Sequence, residues 1–279
     1  MKNIMEASVI VSHKNRIKLL KKCLQSIEEH TKDVDYKLYI IDAGSSDGSR
    51  EYLKEKWSDR AELIFEKNPS TYAESNNRVM KLCDTSYIYL LNNDCLVRPG
   101  WLRNAIDMVE NDKQIGHVAS LVLFGDGMVQ SHGANITKKG NTHCCYSMWN
   151  PDSIRVRQVA NFAYAGLGLY RKDLLEKLGY LPEYPSKIYW SDTGWGMKVW
   201  RAGFDVRYCP KSEVVHFLDP SERQGHSLDI ETGRRAFMKE WGDFLEKNNG
   251  FAPDFPFTKQ RPWKNGEKIN ARQSHLSTE

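Results

Sequence analysis

No stretch of the 279-residue sequence approaches the roughly 18 apolar residues of a membrane span, so no transmembrane helix is expected. The first fifteen residues, MKNIMEASVIVSHKN, lack the apolar core of a secretory leader and place Glu6 inside it. The expectation is a cytoplasmic chain without a leader, at most a peripheral visitor to the inner face of a membrane. Paired-cysteine spacing is also missing. The six cysteines, Cys23, Cys83, Cys95, Cys144, Cys145 and Cys209, form no CxxC, and the adjacent Cys144-Cys145 suits neither a metal clamp nor a disulfide. Reduced, mostly buried thiols are expected. Cys95 stands beside Asp94, but a thiol is too soft a donor for Mg2+ or Mn2+. There is no GxxxxGK(S/T) loop and no GxGxxG fingerprint, which argues against a P-loop NTPase and an ordinary nicotinamide dehydrogenase. Strong charge is absent too: a net charge of +4 and a pI near 8.6 suit an anionic nucleotide without demanding nucleic acid or a membrane. No internal repeat is visible.

What the chain does contain is a regular alternation of apolar runs and amphipathic stretches. Strands are expected at 8–12, 37–42, 62–66, 86–91 and 117–123, with helices at 16–30, 49–57, 71–83 and 100–111 between them. In the first helix Ile17, Leu20, Leu24 and Ile27 fall on one face. Ser70 or Thr71 is placed to cap the third. This βαβα order implies an α/β fold with a mainly parallel sheet flanked by helices. Residues 124–160, rich in Gly, Asn, His and aromatics, read as an irregular insertion with hairpins over one sheet edge. Regular structure returns with a strand at 163–170, helices at 171–178 and 192–202, strands at 205–209 and 213–217, and a helix near 229–247 whose face carries Ile230, Phe237, Trp241 and Phe244. One domain is expected over 1–247, with its nucleotide-binding part at about 1–115 and its acceptor part at about 116–247. The Pro-punctuated tail, 248–279, has no core of its own.

Two strand ends deliver acids. The apolar run Tyr87–Leu91 stops at Asn92-Asn93-Asp94, and Pro99-Gly100 turns the chain away. Leu38–Ile41 runs into Asp42-Ala43-Gly44-Ser45-Ser46-Asp47-Gly48-Ser49. An open α/β sheet binds ligands at the carboxyl ends of its strands, and a carboxylate there is a hard oxygen donor for a divalent cation. Ordinary turn formers and helix caps would leave the same residues, so neither piece decides the matter alone.

The ordered set says more. Ser8-Val9-Ile10-Val11-Ser12, then Ile41-Asp42-Ala43-Gly44-Ser45-Ser46-Asp47-Gly48, then Leu91-Asn92-Asn93-Asp94 resembles the family 2 glycosyltransferases of the GT-A fold, the rhamnosyltransferase-like nucleotide-sugar enzymes among them. Ala165-Gly166-Leu167-Gly168, Leu178-Gly179-Tyr180-Leu181-Pro182-Glu183, Ser191-Asp192-Thr193-Gly194-Trp195 with Arg201-Ala202-Gly203-Phe204, and Val214-Val215-His216 continue the likeness over roughly residues 7–245. The resemblance implies an inverting, metal-dependent transfer of a hexosyl or deoxyhexosyl group from a nucleoside-diphosphate sugar to a hydroxyl acceptor. It gives Asp94 and His216 to the metal, Mn2+ or Mg2+. Asp42 is to read a uracil or thymine base, so UDP or dTDP is favoured over GDP. Ser12, Asn76, Asn92 and Asn93 are to line or brace the nucleotide, and Gly166 is to let backbone approach the donor sugar. Asp192 is implied as the general base, at a helix N-terminus that favours an anion. Trp190 and Trp195 flank it, as acceptor platforms or as core packing.

Three positions depart from the family pattern: Ser191 replaces its Glu, Gly194 its second Asp and Lys198 its Arg. They are the support for a rival reading, a nucleotide-sugar-binding protein without catalysis. The acceptor expected is a glycan or lipid-linked glycan. The aromatics and basic residues between Phe251 and Lys264 could touch a membrane surface or, in a second rival reading, nucleic acid carrying a hydroxymethylated base.

Overall fold

A computed structural model describes residues 6–68, 70–144, 147–155, 167–217, 227–248 and 250. The elements are β1 (Ala7–His13), α1 (Ile17–His30), β2 (Tyr36–Asp42), α2 (Ser49–Trp57), β3 (Glu62–Phe65), α3 (Tyr72–Leu82), β4 (Tyr87–Asn92), β5 (Cys95–Val97), α4 (Trp101–Asn111), β6 (Ile115–Leu123), β7 (Val129–Ser131), β8 (Ala134–Ile136), β9 (Thr142–Cys144), α5 (Pro151–Arg155), β10 (Gly168–Arg171), α6 (Lys172–Leu178), α7 (Ser191–Arg201), β11 (Asp205–His216) and α8 (Ser227–Lys247).

Local chemistry explains several boundaries. Thr71 starts α3 with a reciprocal capping box: its hydroxyl accepts from Glu74 N, and the Glu74 carboxylate accepts from Thr71 N. The α1 start is unusual, because Asn15 and Arg16 both take left-handed backbone at φ 57° and 62°. Asp47 holds that start by accepting from Ile17 N at 2.8 Å.

The strands form one nine-stranded sheet in the order β3-β2-β1-β4-β10-β6-β11-β5, with β7 also paired to β6. The sheet is mixed, not mainly parallel as the βαβα pattern suggested. The pairs β3/β2, β2/β1, β1/β4 and β6/β11 are parallel, whereas β4/β10, β10/β6, β11/β5 and β6/β7 are antiparallel. Apolar runs report burial but not direction, and β10 inserts against the grain between β4 and β6. Gly168 permits this insertion: a Cβ there would stand 2.1 Å from the Val118 carbonyl oxygen. The two strands expected at 205–209 and 213–217 are one, β11, with a register shift between Cys209 and Glu213 beside Pro210.

Helices cover both faces. Leu20, Leu24, Ile27, Leu53, Trp57, Trp101 and Ile106 of α1, α2 and α4 pack on one side with Val9, Val11 and Leu91. Val79, Met80, Leu175, Trp195, Phe237 and Trp241 of α3, α6, α7 and α8 pack on the other with Ile10 and Leu90. The insertion contains β7 and the β8–β9 hairpin, as its composition suggested, and also a short helix, α5, that was not expected. Among the described residues no helix is long and apolar enough to cross a membrane. The tail beyond residue 250 and Gly166 lie outside the described residues.

The sheet also curls. Only Asn93 and Asp94 separate β4 from β5, yet β5 is four places further along the hydrogen-bonded order. Strands spaced at ~4.8 Å would set them about 19 Å apart in a flat sheet, whereas three extended residue steps reach about 10 Å. The curl brings the far edge of the sheet back to the tip of β4.

Candidate active site

Strands β1, β2, β3, β4, β6 and β11 run the same way, so their carboxyl ends share one edge. The order reverses at β1, between β2 and β4, which is where such sheets bind ligands. The register sets His13 beside Asp42 and Ser12 beside Asn92.

Asp42 is fully buried. Its Oδ1 accepts from Gly44 N (3.1 Å), Ser45 N (3.0 Å) and Arg50 Nε (2.6 Å), which braces the Gly/Ser loop. Its Oδ2 has no hydrogen-bond partner, and neither has His13 Nε2, 3.7 Å away. Burial works to raise the Asp42 pKa, but the hydrogen bonds of Ser45 and Arg50 and the Arg50 charge carry it below the ordinary carboxylate value. Burial lowers that of His13 against the pull of Asp42 and Asp47. A buried carboxylate oxygen and a buried ring nitrogen are thus left open together at the switch point, although a ligand must move covering side chains to reach them.

Around them Ser12 Oγ donates to Asn76 Oδ1 at 3.0 Å, and Asn76 Nδ2 donates to the Tyr72 carbonyl at 2.8 Å. Asn93 Nδ2 lies 2.9 Å from His13 Nδ1 and 3.0 Å from the Asn15 carbonyl. Ser12, Asn76 and Asn93 therefore brace the β1, β4 and α3 ends against one another. The half-buried Asn92 side chain makes no hydrogen bond to the described residues.

Asp94 sits in the two-residue step after β4. Its Oδ1 is 3.3 Å from His216 Nε2, at the end of β11, and its Oδ2 accepts from Arg16 at 3.1 Å. Burial works to raise its pKa, and His216 and Arg16 together bring it below the usual value. Cys95 Sγ lies 3.8 Å from the same Oδ1. Ligand atoms of Asp94, Cys95 and His216 all fall within 4.8 Å of one another, as a divalent cation requires. Oxygen, imidazole and thiol donors fit a cation of borderline character more closely than a purely hard one.

Asp192 is the second residue of α7, which follows Trp190, whose φ of 78° is strained for a bulky residue. Its Oδ1 accepts from Thr193 N at 2.7 Å and from the Thr193 hydroxyl at 3.3 Å. Burial pushes its carboxyl up to about 6 in spite of those bonds. The Tyr72 phenol, its own pKa raised first by burial, also feels Asp192, Cys95 and Asp94. Acids from α7 and from the β4 tip thus converge on one side chain.

Trp190 and Trp195 are packed side chains. Trp190 is 7% exposed, donates to the Ile230 carbonyl at 2.8 Å and lies 5.0 Å from the Phe237 ring. Trp195 is fully buried, 5.7 Å from Tyr170. Neither offers an open face to an acceptor. Two departures from the family pattern have structural causes. At Gly194 a Cβ would meet Pro182 Cγ at 2.6 Å and Tyr184 Oη at 2.7 Å, so the pocket of a second acid is filled. Lys198 donates to the Tyr180 carbonyl at 2.8 Å and caps the turn after α6.

Reading the sequence missed Arg16, Tyr72 and Arg50. The Asn-Arg pair before an amphipathic helix was visible, but its left-handed backbone was not. No local pattern around Tyr72 marks it as part of the site.

The profile of Glycosyl transferase family 2 matches residues 8–179. Among curated proteins, the chain is 23% identical over 243 residues to uncharacterized protein y4gI of Sinorhizobium fredii, covering 84% of this chain and 26% of that protein. It is 23% identical over 234 residues to O-antigen biosynthesis protein RfbC of Myxococcus xanthus, 78% of this chain and 18% of that one. It is 22% identical over 205 residues to glycosyltransferase AglE of Haloferax volcanii, 72% of this chain and 64% of that one. The chain thus spans about a quarter or less of the first two relatives. In fold it is similar to GalNAc-T7 solved with UDP, GalNAc and Mn2+ (TM-score 0.71, 15% identity, 99% of this chain and 55% of that one). It is also similar in fold to S. aureus TarS 1–349 in complex with UDP-GlcNAc (TM-score 0.56, 16% identity, 77% of this chain and 59% of that one).

Proposed function

Because the chain belongs to glycosyl transferase family 2 and carries the GT-A fold, we propose that it transfers a sugar from a nucleoside-diphosphate sugar to a hydroxyl acceptor, with Asp94 and His216 holding a divalent cation. The observation that carries this is the meeting of Asp94 Oδ1 and His216 Nε2 at 3.3 Å, from strands far apart in the chain, at the edge where Asp42 and Ser12 also end. When bound, Mn2+ or Mg2+ supplies Lewis-acid neutralisation of the charge that grows on the diphosphate leaving group.

The remaining work falls to the chain. Asp42 Oδ2 accepts the imide N–H of a uracil or thymine, which relieves a buried unsatisfied oxygen worth on the order of 1–3 kcal/mol. UDP and dTDP donors are thereby favoured over GDP. Ser12, Asn76 and Asn93 hold the loop ends in place, and Asn92, free of other bonds, turns to the nucleotide. Asp192 takes the acceptor proton. A base with pKa about 6 is roughly nine-tenths ionised at pH 7 yet still basic enough to share a proton in the transition state. Its Oδ2 has no protein partner among the described residues, whereas Oδ1 is fixed by Thr193. Asp192 is the one carboxylate assigned to the acceptor side, and with a single base the displacement is direct and inverts the anomeric centre. A fold neighbour solved with UDP, GalNAc and Mn2+, another solved with UDP-GlcNAc and an O-antigen protein among the relatives support a UDP or dTDP donor and a glycan acceptor. The cytoplasm, with acceptors reached at a membrane surface, is the compartment this reading implies.

A thermal-shift screen of nucleotide sugars with Mn2+ tests the proposal. A true donor at a hundredfold excess over its Kd adds about 2.7 kcal/mol of apparent stability. Metal-dependent stabilisation by a UDP or dTDP sugar is expected; stabilisation by none, or equally with and without metal, counts against it.

A further inference from the structure

The β5–β11 ladder pairs Cys95 directly with His216. Cross-strand partners point to the same face of a sheet with Cβ atoms about 4.5–5.5 Å apart. Asp94 precedes Cys95, so three different donors surround one small volume.

Two of the three donor separations are those of ligands on a single tetrahedral cation. Bonds of about 2.0–2.2 Å to nitrogen and oxygen and about 2.3 Å to sulfur imply donor–donor separations of roughly 3.3–3.8 Å. The observed values are 3.3 Å for His216 to Asp94 and 3.8 Å for Cys95 to Asp94, and no pair exceeds 4.8 Å. Cys95 is 0% exposed, so its thiol has no competing contact with water. Arg16 occupies the other Asp94 oxygen and leaves Oδ1 facing the histidine and the thiol.

We propose that Cys95 is a third protein ligand of this site, so that Asp94, Cys95 and His216 bind a borderline divalent cation of the zinc or cobalt type in preference to Mg2+. The inference rests on the metal reading of Asp94 and His216. A borderline cation replaces the S–H bond by a metal–sulfur bond and sends the proton to solvent. A hard cation leaves the thiol intact and is held by oxygen and nitrogen alone. Three protein ligands would leave such a cation able to take a donor oxygen as well.

The test is titration of the full chain with Co2+, followed by absorption spectroscopy, in a background where Cys144 and Cys145 are serine. Thiolate-to-cobalt charge transfer in the near ultraviolet is expected. It should vanish in Cys95→Ser and persist in Cys23→Ser, where the other buried thiol near Asp94 is removed. Loss of a direct ligand should weaken Co2+ and Zn2+ at least as much as loss of an outer partner, on the order of 10–100-fold. Mg2+ affinity by competition calorimetry should stay within about twofold, as a ligand it does not use is removed. Co2+ binding that needs Asp94 but shows no charge-transfer band in the protein that keeps Cys95 would overturn the thiol ligand and leave the metal site standing. No binding of Co2+ or Mg2+ that Asp94→Ala removes would overturn both. If Cys95→Ser does not fold, the presence or absence of that band in the protein that keeps Cys95 still distinguishes the two outcomes.

Discussion

Asp192→Asn should make the protein more stable and less active at the same time. The asparagine keeps an Oδ1 that can accept from Thr193 N, at 2.7 Å in the parent, and keeps the volume of the side chain. What it removes is a charge in a poorly solvated place. The carboxyl moves from an ordinary 3.8 to about 6 on folding. The native state therefore binds more protons than the unfolded chain between those values, and stability falls as pH rises through that window. Above pH 6 the full cost stands, at 1.36 kcal/mol per pH unit on the order of 3 kcal/mol. The variant should exceed the parent by up to that amount in urea unfolding at pH 8, and the two should converge below about pH 4. Turnover should fall roughly 10²–10⁴-fold with donor affinity unchanged. The parent's kcat should lose about tenfold per unit below pH 6, since only the ionised base accepts the proton. Equal or lower stability of the variant at pH 8 would refute the desolvation argument, and near-parental turnover would refute the base. A product that retains the donor's anomeric configuration by NMR would remove the one-step route altogether.

Asp94→Ala should keep the fold and abolish metal-dependent nucleotide binding, measured by calorimetry with and without Mn2+; unchanged metal-dependent affinity would dismiss the assignment. Asp42→Ala should weaken binding of the free nucleoside diphosphate by about 1–3 kcal/mol at saturating metal, and equal affinities would leave Asp42 as a loop brace alone. Gly194→Asp, which restores the acid of the family pattern, should destabilise rather than activate, by about 1–3 kcal/mol from overpacking against Pro182 and Tyr184. A gain in turnover with unaltered melting temperature would show that the pocket yields.

Helices were legible because their signals are local. A cap at Ser70 or Thr71 announces α3, and the spacing of Ile17, Leu20, Leu24 and Ile27 announces α1. Strand-tip acids were legible because an apolar run ending in Asp94 or Asp42 is a short-range pattern. Sheet direction was not, since Gly168–Arg171 would read the same in either orientation. Nor was β5, because three residues carry too little periodicity to mark a strand. Missing β5 hid the Cys95–His216 pair, and with it the reason to take the thiol seriously as a ligand. The ring contact of Trp190 depends on Phe237 of α8, whose packing partners no local pattern names.

Strand β6 is buried along its whole length, and two of its ladder partners, β10 and β11, both follow it in the chain. Their first residues come about 50 and about 90 residues after Ile115; at 5–20 residues per second β11 begins to be made about 5–18 s later. For that interval most of a nine-residue buried strand waits without its ladder partners, only its end paired by β7. Yield in a cell should therefore depend on how that segment is shielded during synthesis. Excess trigger-type chaperone or slower growth should raise the soluble fraction more than any change to the finished surface.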